Sequence, residues 1–390
     1  MKVIFLPASR CLLLLVILLA GILCPKDCTA QPQQRSKFVV LIPGLSLQDL
    51  SSCQNLDRLC RTSAVGLMNA AGGSRLLSSS YLSISAGAKA VYPDKTGVLG
   101  LQEGESINGV NSVLMYERYL GTASGGAEIV VPHFNFIKSA NISCARPGLL
   151  ADALSESGIP ILFLGNQDLP GSLSRPGALI AMDGRGRIKE GCADQRTYLV
   201  SSFSPTRYTT NYSFIYEKTA AFLQEKTGVI ILDLGDLARL DNLYENLTPD
   251  VYISNRKKLL EEIDTFLENL AALGEKKSAA LLILAPYPDK KSLRQGNMLT
   301  PVLFHNSGSV ESLLSSPSTK RPGIITNLDI APTILNFFGS PQPRGFWGSP
   351  AKMEVRPGAR HYLETMQDIM LANYLQRPFF IKSYVILQII

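Results

Sequence analysis

Short unbroken apolar runs alternate along this chain with stretches that are apolar only at helical spacing. "KFVVLIPGL" (37–45), "IPILFLGN" (159–166), "GALIAMDGRG" (177–186), "GVIILDLGD" (228–236), "SAALLILAPYP" (278–288), "TPVLFHNSG" (300–308) and "PGIITN" (322–327) read as buried strands, because a strand covered on both faces shows no polar alternation. Between two of them, "SNRKKLLEEIDTFLENLAAL" places Leu259, Leu260, Ile263, Phe266, Leu267 and Leu270 on one face of a helix. Strand, helix, strand from 228 to 288 is then a βαβ crossover, with both strand ends on the same edge of a sheet.

The pattern predicts an α/β fold, a mostly parallel sheet sandwiched by helices. Ligands of such sheets bind beyond the carboxyl ends of the strands. That singles out Pro43 and Gly44, Asn166 to Asp168, Asp183, Asp233 to Asp236, Pro286 to Asp289, and His305 with Asn306. The hydroxyl-rich and aromatic stretch from Ser201 to Tyr216 reads as an irregular excursion from the sheet.

The ends differ from the middle. "MKVIFLPASRCLLLLVILLAGILC" sets basic residues before an apolar run from Cys11 to Leu23, and a small-residue site at Cys28-Thr29-Ala30 follows. This is a secretory signal pattern, so residues 1–30 are read as a signal peptide or N-terminal anchor and the protein as exported. The main domain is then 35–375. Residues 376–390 ("QRPFFIKSYVILQII") are apolar, too short to cross a bilayer, and read as the start of a membrane segment.

Composition adds little. The chain carries a formal charge of +6, of which +2 belongs to residues 1–30. The remainder is too weak and too scattered to suggest nucleic acid as a partner. Of seven cysteines, Cys53, Cys60, Cys144 and Cys192 lie beyond the leader. In an oxidising compartment they could form two disulfides, with Cys53 and Cys60 as the local pair, or stay four buried thiols.

The most specific stretch is "GIITNLDIAPTILNFFG" (323–339), a strand, an Asp-Ile-Ala-Pro-Thr turn and a short helix. It resembles the closing segment of the alkaline phosphatase and sulfatase superfamily. "VLIPGLSLQDL", "AVGLMNAAGG…YLSISAGAKA", "DLGDLARLD" and "LLILAPYPDKK" are similar to that superfamily's first loop, nucleophile segment, central metal loop and late strand. The resemblance implies an alkaline-phosphatase-like fold and a centre of two metal ions held by histidines and aspartates.

Matched residue by residue, the ligands are mostly missing. Pro43 stands where the first Asp is implied, Pro286 and Tyr287 where Asp-His is implied, Asn297 at the last His, and Leu240 at the His of Asp-xxx-His. Asp236 alone survives as a metal ligand, and one carboxylate cannot hold a dinuclear centre. Ser83 best matches the nucleophile, with Ser85 second, and is placed just before a helix start. Without a metal or a base its hydroxyl stays protonated. His133, His305 and His361 sit apart in the sequence; His305 is expected on the functional edge, where a Ser83, His305 and Asp236 grouping is conceivable. Asp329 reads as a helix cap.

The expectation is therefore an exported, membrane-associated domain with a degenerate metal site and no cofactor. It would be a non-catalytic binding or scaffold domain for an envelope component or a membrane protein. One alternative is a hydrolase or transferase of phosphate or sulfate esters. It would use Ser83 as nucleophile and one divalent metal (Zn, Mn or Mg) on Asp236, with Asp233, Asp289 or Asn297 as further donors. Another is the external domain of a larger multi-span membrane protein.

Overall fold

The computed structural model describes residues 36–93, 99–202 and 204–389. The leader expected at 1–30 lies outside them. Ten strands form the main sheet: β1 (Lys37–Leu41), β2 (Ala64–Asn69), β3 (Ile161–Asn166), β4 (Glu190–Cys192), β5 (Val229–Leu234), β6 (Ala280–Leu284), β7 (Leu299–His305), β8 (Ser312–Ser315), β9 (Ile324–Thr326) and β10 (Lys352–Val355). Their order is β10-β8-β2-β7-β6-β1-β5-β3-β4, and β9 also pairs with β2. Only β7 and β10 run against the rest. The mostly parallel α/β sheet read from the apolar runs is the one observed.

Alternate residues of each strand feed two separate cores. Val39 and Leu41 point into one, with the helices α2 (Ser78–Ala86) and α8 (Ile330–Phe337). Phe38, Val40 and Ile42 point into the other, where Leu259, Ile263, Phe266, Leu267 and Leu270 of the helix α7 (Pro249–Lys277) pack. The period-two alternation of the strands thus meets the period-3.6 stripe of the crossover helix. Among further helices, α1 (Gln54–Arg61) packs on α7, α3 (Ser112–Leu120), α4 (Leu149–Glu156) and α5 (Tyr212–Glu225) lie between α2 and α7 in the sequence, and α9 (Ala359–Ile389) follows β10.

Several expectations change. "GALIAMDGRG" is not a strand but a short helix (Ala178–Ala181) followed by a turn in which Asp183 accepts the Arg185 and Arg187 amides, both at 2.9 Å. Apolarity alone does not separate buried helix from buried strand. In the excursion at 201–216, Tyr208–Thr210 pairs antiparallel with Tyr198–Val200 just before it, and a helix starts at Tyr212. Because β7 is antiparallel, His305 ends it at the opposite edge, where Nδ1 lies 3.2 Å from the Ser63 hydroxyl and 3.1 Å from the Thr62 carbonyl oxygen. A Ser83, His305 and Asp236 grouping is therefore ruled out by topology. Cys53, Cys60, Cys144 and Cys192 are free thiols, and burial pushes Cys60 and Cys192 up to about 12, so neither is a reactive thiolate near neutrality.

Candidate functional site

The carboxyl edge brings together the loops after β1, β3, β5 and β6, as the parallel topology requires. At its centre the side chains bond to one another rather than face a cavity. Asp236 opens the helix α6 (Asp236–Asn242), directly after β5, and is buried. Its Oδ1 accepts the Thr210 amide at 2.8 Å and Arg239 Nη1 at 3.0 Å; its Oδ2 accepts the Tyr212 hydroxyl at 2.6 Å.

Arg239 lies one helical turn after Asp236 and has no exposed surface. Beyond Asp236, its Nε donates to the Asp168 carbonyl oxygen at 3.0 Å, and Nη2 donates to the Asn166 carbonyl oxygen at 2.7 Å and to Asn166 Oδ1 at 3.0 Å. The planar fork thereby ties the ends of β3 and β5 to the 208–210 strand. A flexible ammonium could not match that geometry. The signal was in the sequence as Asp236-x-x-Arg239, one residue before Leu240, but an i,i+3 ion pair reads equally well as a solvated face.

Next to this pair, Tyr81 of α2 and Tyr287 face each other with ring centroids 5.9 Å apart. Gln167 Nε2 donates to the Tyr81 hydroxyl at 2.8 Å and to both Asp233 oxygens at 3.1 Å, and Tyr287 donates to Gln167 Oε1 at 3.3 Å. Tyr287, which stands at the implied histidine, is thus part of a buried hydrogen-bonded network that includes Asp233. Ser80 of α2 donates to the Pro286 carbonyl oxygen at 2.6 Å, which closes the gap between the first turn of that helix and β6.

Burial pushes Asp233 up to about 7, against the lowering effects of the Gln167 hydrogen bond, the Arg239 charge and the Gly177 amide. Between the ordinary carboxyl value of about 4 and that value, the folded chain keeps a proton the unfolded chain has released. Its stabilising contribution is present at low pH and is lost as pH rises toward 7. Asp233→Asn is expected to remove this slope, drawing together the urea midpoints at pH 5 and pH 8. An unchanged gap would assign the slope to other groups.

Ser83 is not at a helix start. It lies inside α2, fully buried, donating to the Ser79 carbonyl oxygen at 2.7 Å and accepting the Ala90 amide at 3.0 Å. Its hydroxyl holds the following loop and does not face a substrate. Ser85 is buried as well. Asp289 accepts the Ser292 amide at 2.6 Å as a helix cap, and Asn297 Oδ1 accepts the Leu299 amide at 3.0 Å. Asp329 ties the closing segment together through Thr326, Ser318 and the Ser349 amide.

Two further ion networks escaped the sequence. Arg175, fully buried, bridges Asp168 and Glu105, and Arg256 bridges Asp49 and Asp241. Burial pushes Asp241 up to about 6, although the Tyr252 hydroxyl donates to it at 2.6 Å. Gly44, with φ +82°, allows the β1 loop to pass close to that carboxyl; a Cβ there would lie 2.9 Å from Asp241 Oδ2. Glu105 lies 70 residues from Arg175 and Asp49 lies 207 from Arg256, so no local pattern announces these bridges.

The residues present do not fit a divalent metal at this centre. Asp236 has its oxygens taken by a guanidinium, a phenol and an amide, and the other implied positions are Pro43, Pro286, Tyr287, Asn297 and Leu240. Among the described residues, no group of three or more His, Cys, Asp or Glu is placed to hold a metal ion. A small cleft of about 190 Å³ lies to one side of this edge, lined in part by Ser46, Gln48, Asp289, Lys291, Asn297 and Asp368.

No protein-family model and no curated protein matches the chain. Solved structures do. They include the lipoteichoic acid synthase LtaP from Listeria monocytogenes, at 9% identity and a TM-score of 0.46 over 88% of this chain and 93% of that one. Phosphonate monoester hydrolase SpPMH from Silicibacter pomeroyi matches at 12% identity and a TM-score of 0.47 over 81% of this chain and 76% of that one. A third match, at 12% identity and a TM-score of 0.48 over 81% of this chain and 69% of that one, is a protein in the alkaline phosphatase superfamily from Vibrio parahaemolyticus.

Proposed function

We propose that this protein is an exported, membrane-associated domain of alkaline-phosphatase-like fold that acts without a metal centre, as a binding or scaffold domain for an envelope component. The observation that carries the reading is the hydrogen-bonded closure of the centre. Arg239 supplies the positive charge that Asp236 requires, and Tyr81, Gln167 and Tyr287 fill the neighbouring volume. A nucleophile needs an activating base or metal, and Ser83 has its hydroxyl bonded within its own helix. Export is supported by the charged-then-apolar leader pattern, and membrane association by the apolar surface of the α9 end. No helix among the described residues is long and apolar enough to cross a membrane.

The test is elemental analysis of the purified full chain after exposure to zinc, manganese and magnesium, alongside hydrolysis of aryl phosphate and sulfate esters. The expected result is no stoichiometric metal and no turnover above the buffer rate. Tight stoichiometric metal, with turnover lost on chelation, would overturn the reading.

A further inference from the structure

The helix α9 begins and ends at different edges of the sheet. Its first amide, Ala359, donates to Glu311, next to the start of β8, and Arg360 pairs with Asp57 of α1. Leu363 packs in the core against Gly323. Further along, Gln367 reaches the Leu299 carbonyl oxygen at 3.5 Å, at the start of antiparallel β7 and hence at the carboxyl edge. The Tyr374 ring packs on Gly296 at that same edge, so closely that a Cβ on the glycine would lie 2.7 Å from it. Beyond Tyr374 the helix leaves the body from the carboxyl edge.

That free part is apolar on all sides. Phe379, Phe380, Ile381, Tyr384, Val385, Ile386, Leu387 and Ile389 are all exposed, from 47% for Val385 to 80% for Ile389. At 100° per residue they go round the whole helix rather than forming one stripe, unlike a surface helix docked in a groove. After Asp368 the only charged side chains are Arg377 and Lys382, both basic, which suits anionic headgroups. Residues 375–389 extend about 22 Å, enough to enter one leaflet of a hydrocarbon core of about 30 Å.

We propose that residues 375–389 insert into a lipid bilayer and hold the carboxyl edge of the sheet, with its polar cleft at Ser46, Asp289 and Asn297, against the membrane surface. The inference rests on the membrane-associated reading above, which already draws on the α9 end, and adds the depth that this end reaches and the edge of the sheet that faces the lipid.

The test uses the full chain on vesicles of phosphatidylcholine and phosphatidylglycerol. Trp347, the single tryptophan, is replaced by Phe, and one tryptophan is then placed at a time by Leu387→Trp, Lys291→Trp or Ser307→Trp. The last two sites are exposed at opposite edges. Leu387→Trp is expected to lose most of its emission to lipids brominated in the acyl chains. Lys291→Trp should lose more emission than Ser307→Trp to headgroup-bound nitroxide. Flotation with vesicles while Leu387→Trp stays unquenched would overturn the inference and leave membrane association standing on another segment. No flotation would remove both. Equal quenching of Lys291→Trp and Ser307→Trp would overturn the orientation, and a dimer that buries Leu387→Trp without lipid would replace the bilayer by a second copy.

Discussion

Arg239→Leu is expected to destabilise the protein by about 3–5 kcal/mol, the range for removing one partner of a buried ion pair, read as a lower urea midpoint. The substitution leaves Asp236 buried with its Thr210 and Tyr212 donors but without a positive charge, and it strips the Asn166 and Asp168 carbonyl oxygens of their donors. Replacing both members by apolar residues is far less costly than removing one. The double variant Arg239→Leu with Asp236→Leu should therefore recover part of the loss, and a double-mutant cycle should show strong coupling. Arg239→Lys should fall between, because an ammonium carries the charge but not the planar fork. If Arg239→Leu costs no more than an average surface change, the pair is not what holds these loops, and the account of the closed centre fails with it.

What the sequence made legible follows from range. Strands β1, β3, β5, β6 and the crossover helix α7 are continuous apolar or periodic stretches, so local pattern placed them and their shared edge. The closing segment was legible as a strand, a turn and a short helix, but the cap is Thr326, and Asp329, read as the cap, is the third helical residue of its capping box. By contrast, β2 lies inside the sheet and pairs with β7, β8 and β9, and its short sequence, with one alanine and one glycine, gave it no strong signal. His305 was misplaced because strand direction is set by tertiary pairing, which an apolar run does not encode. Ser83 was misplaced by a few residues, and in a helix that distance separates a cap from the interior. Pro43, Pro286 and Leu240, at positions where the resemblance implies ligands, could be read directly; the contacts around them could not. Arg239 reaches Asn166 and Asp168, and Gln167 reaches Tyr81 and Tyr287, across separations no window covers.

At the other end of β1, Lys37→Met is expected to stabilise the protein at neutral pH. Lys37 is fully buried on the face that carries Val39 and Leu41, and its amine has no hydrogen-bond partner. It lies 4.1 Å from the centroid of the Phe304 ring and 4.6 Å from that of Phe337. Ring faces attract a cation, by about 2 kcal/mol when desolvated, but the loss of water outweighs this, and burial holds the amine well below its ordinary value. In the unfolded chain that value is about 10.4. Through the window between the two, the unfolded chain binds the extra proton, so stability rises with pH. Methionine fills a similar shape without the polar atom, and the expected gain at pH 7 is about 1–3 kcal/mol, the usual cost of an unpaired buried polar group. The gain should shrink as pH approaches 10, because the parent is relieved of its penalty there while the variant has none to lose. Urea unfolding of both proteins at pH 7 and pH 9.5 separates the outcomes. A gain that is larger at pH 7 than at pH 9.5 identifies the buried amine as the cause. A gain equal at both values would come from packing alone, and no gain at either would mean that the amine reaches water.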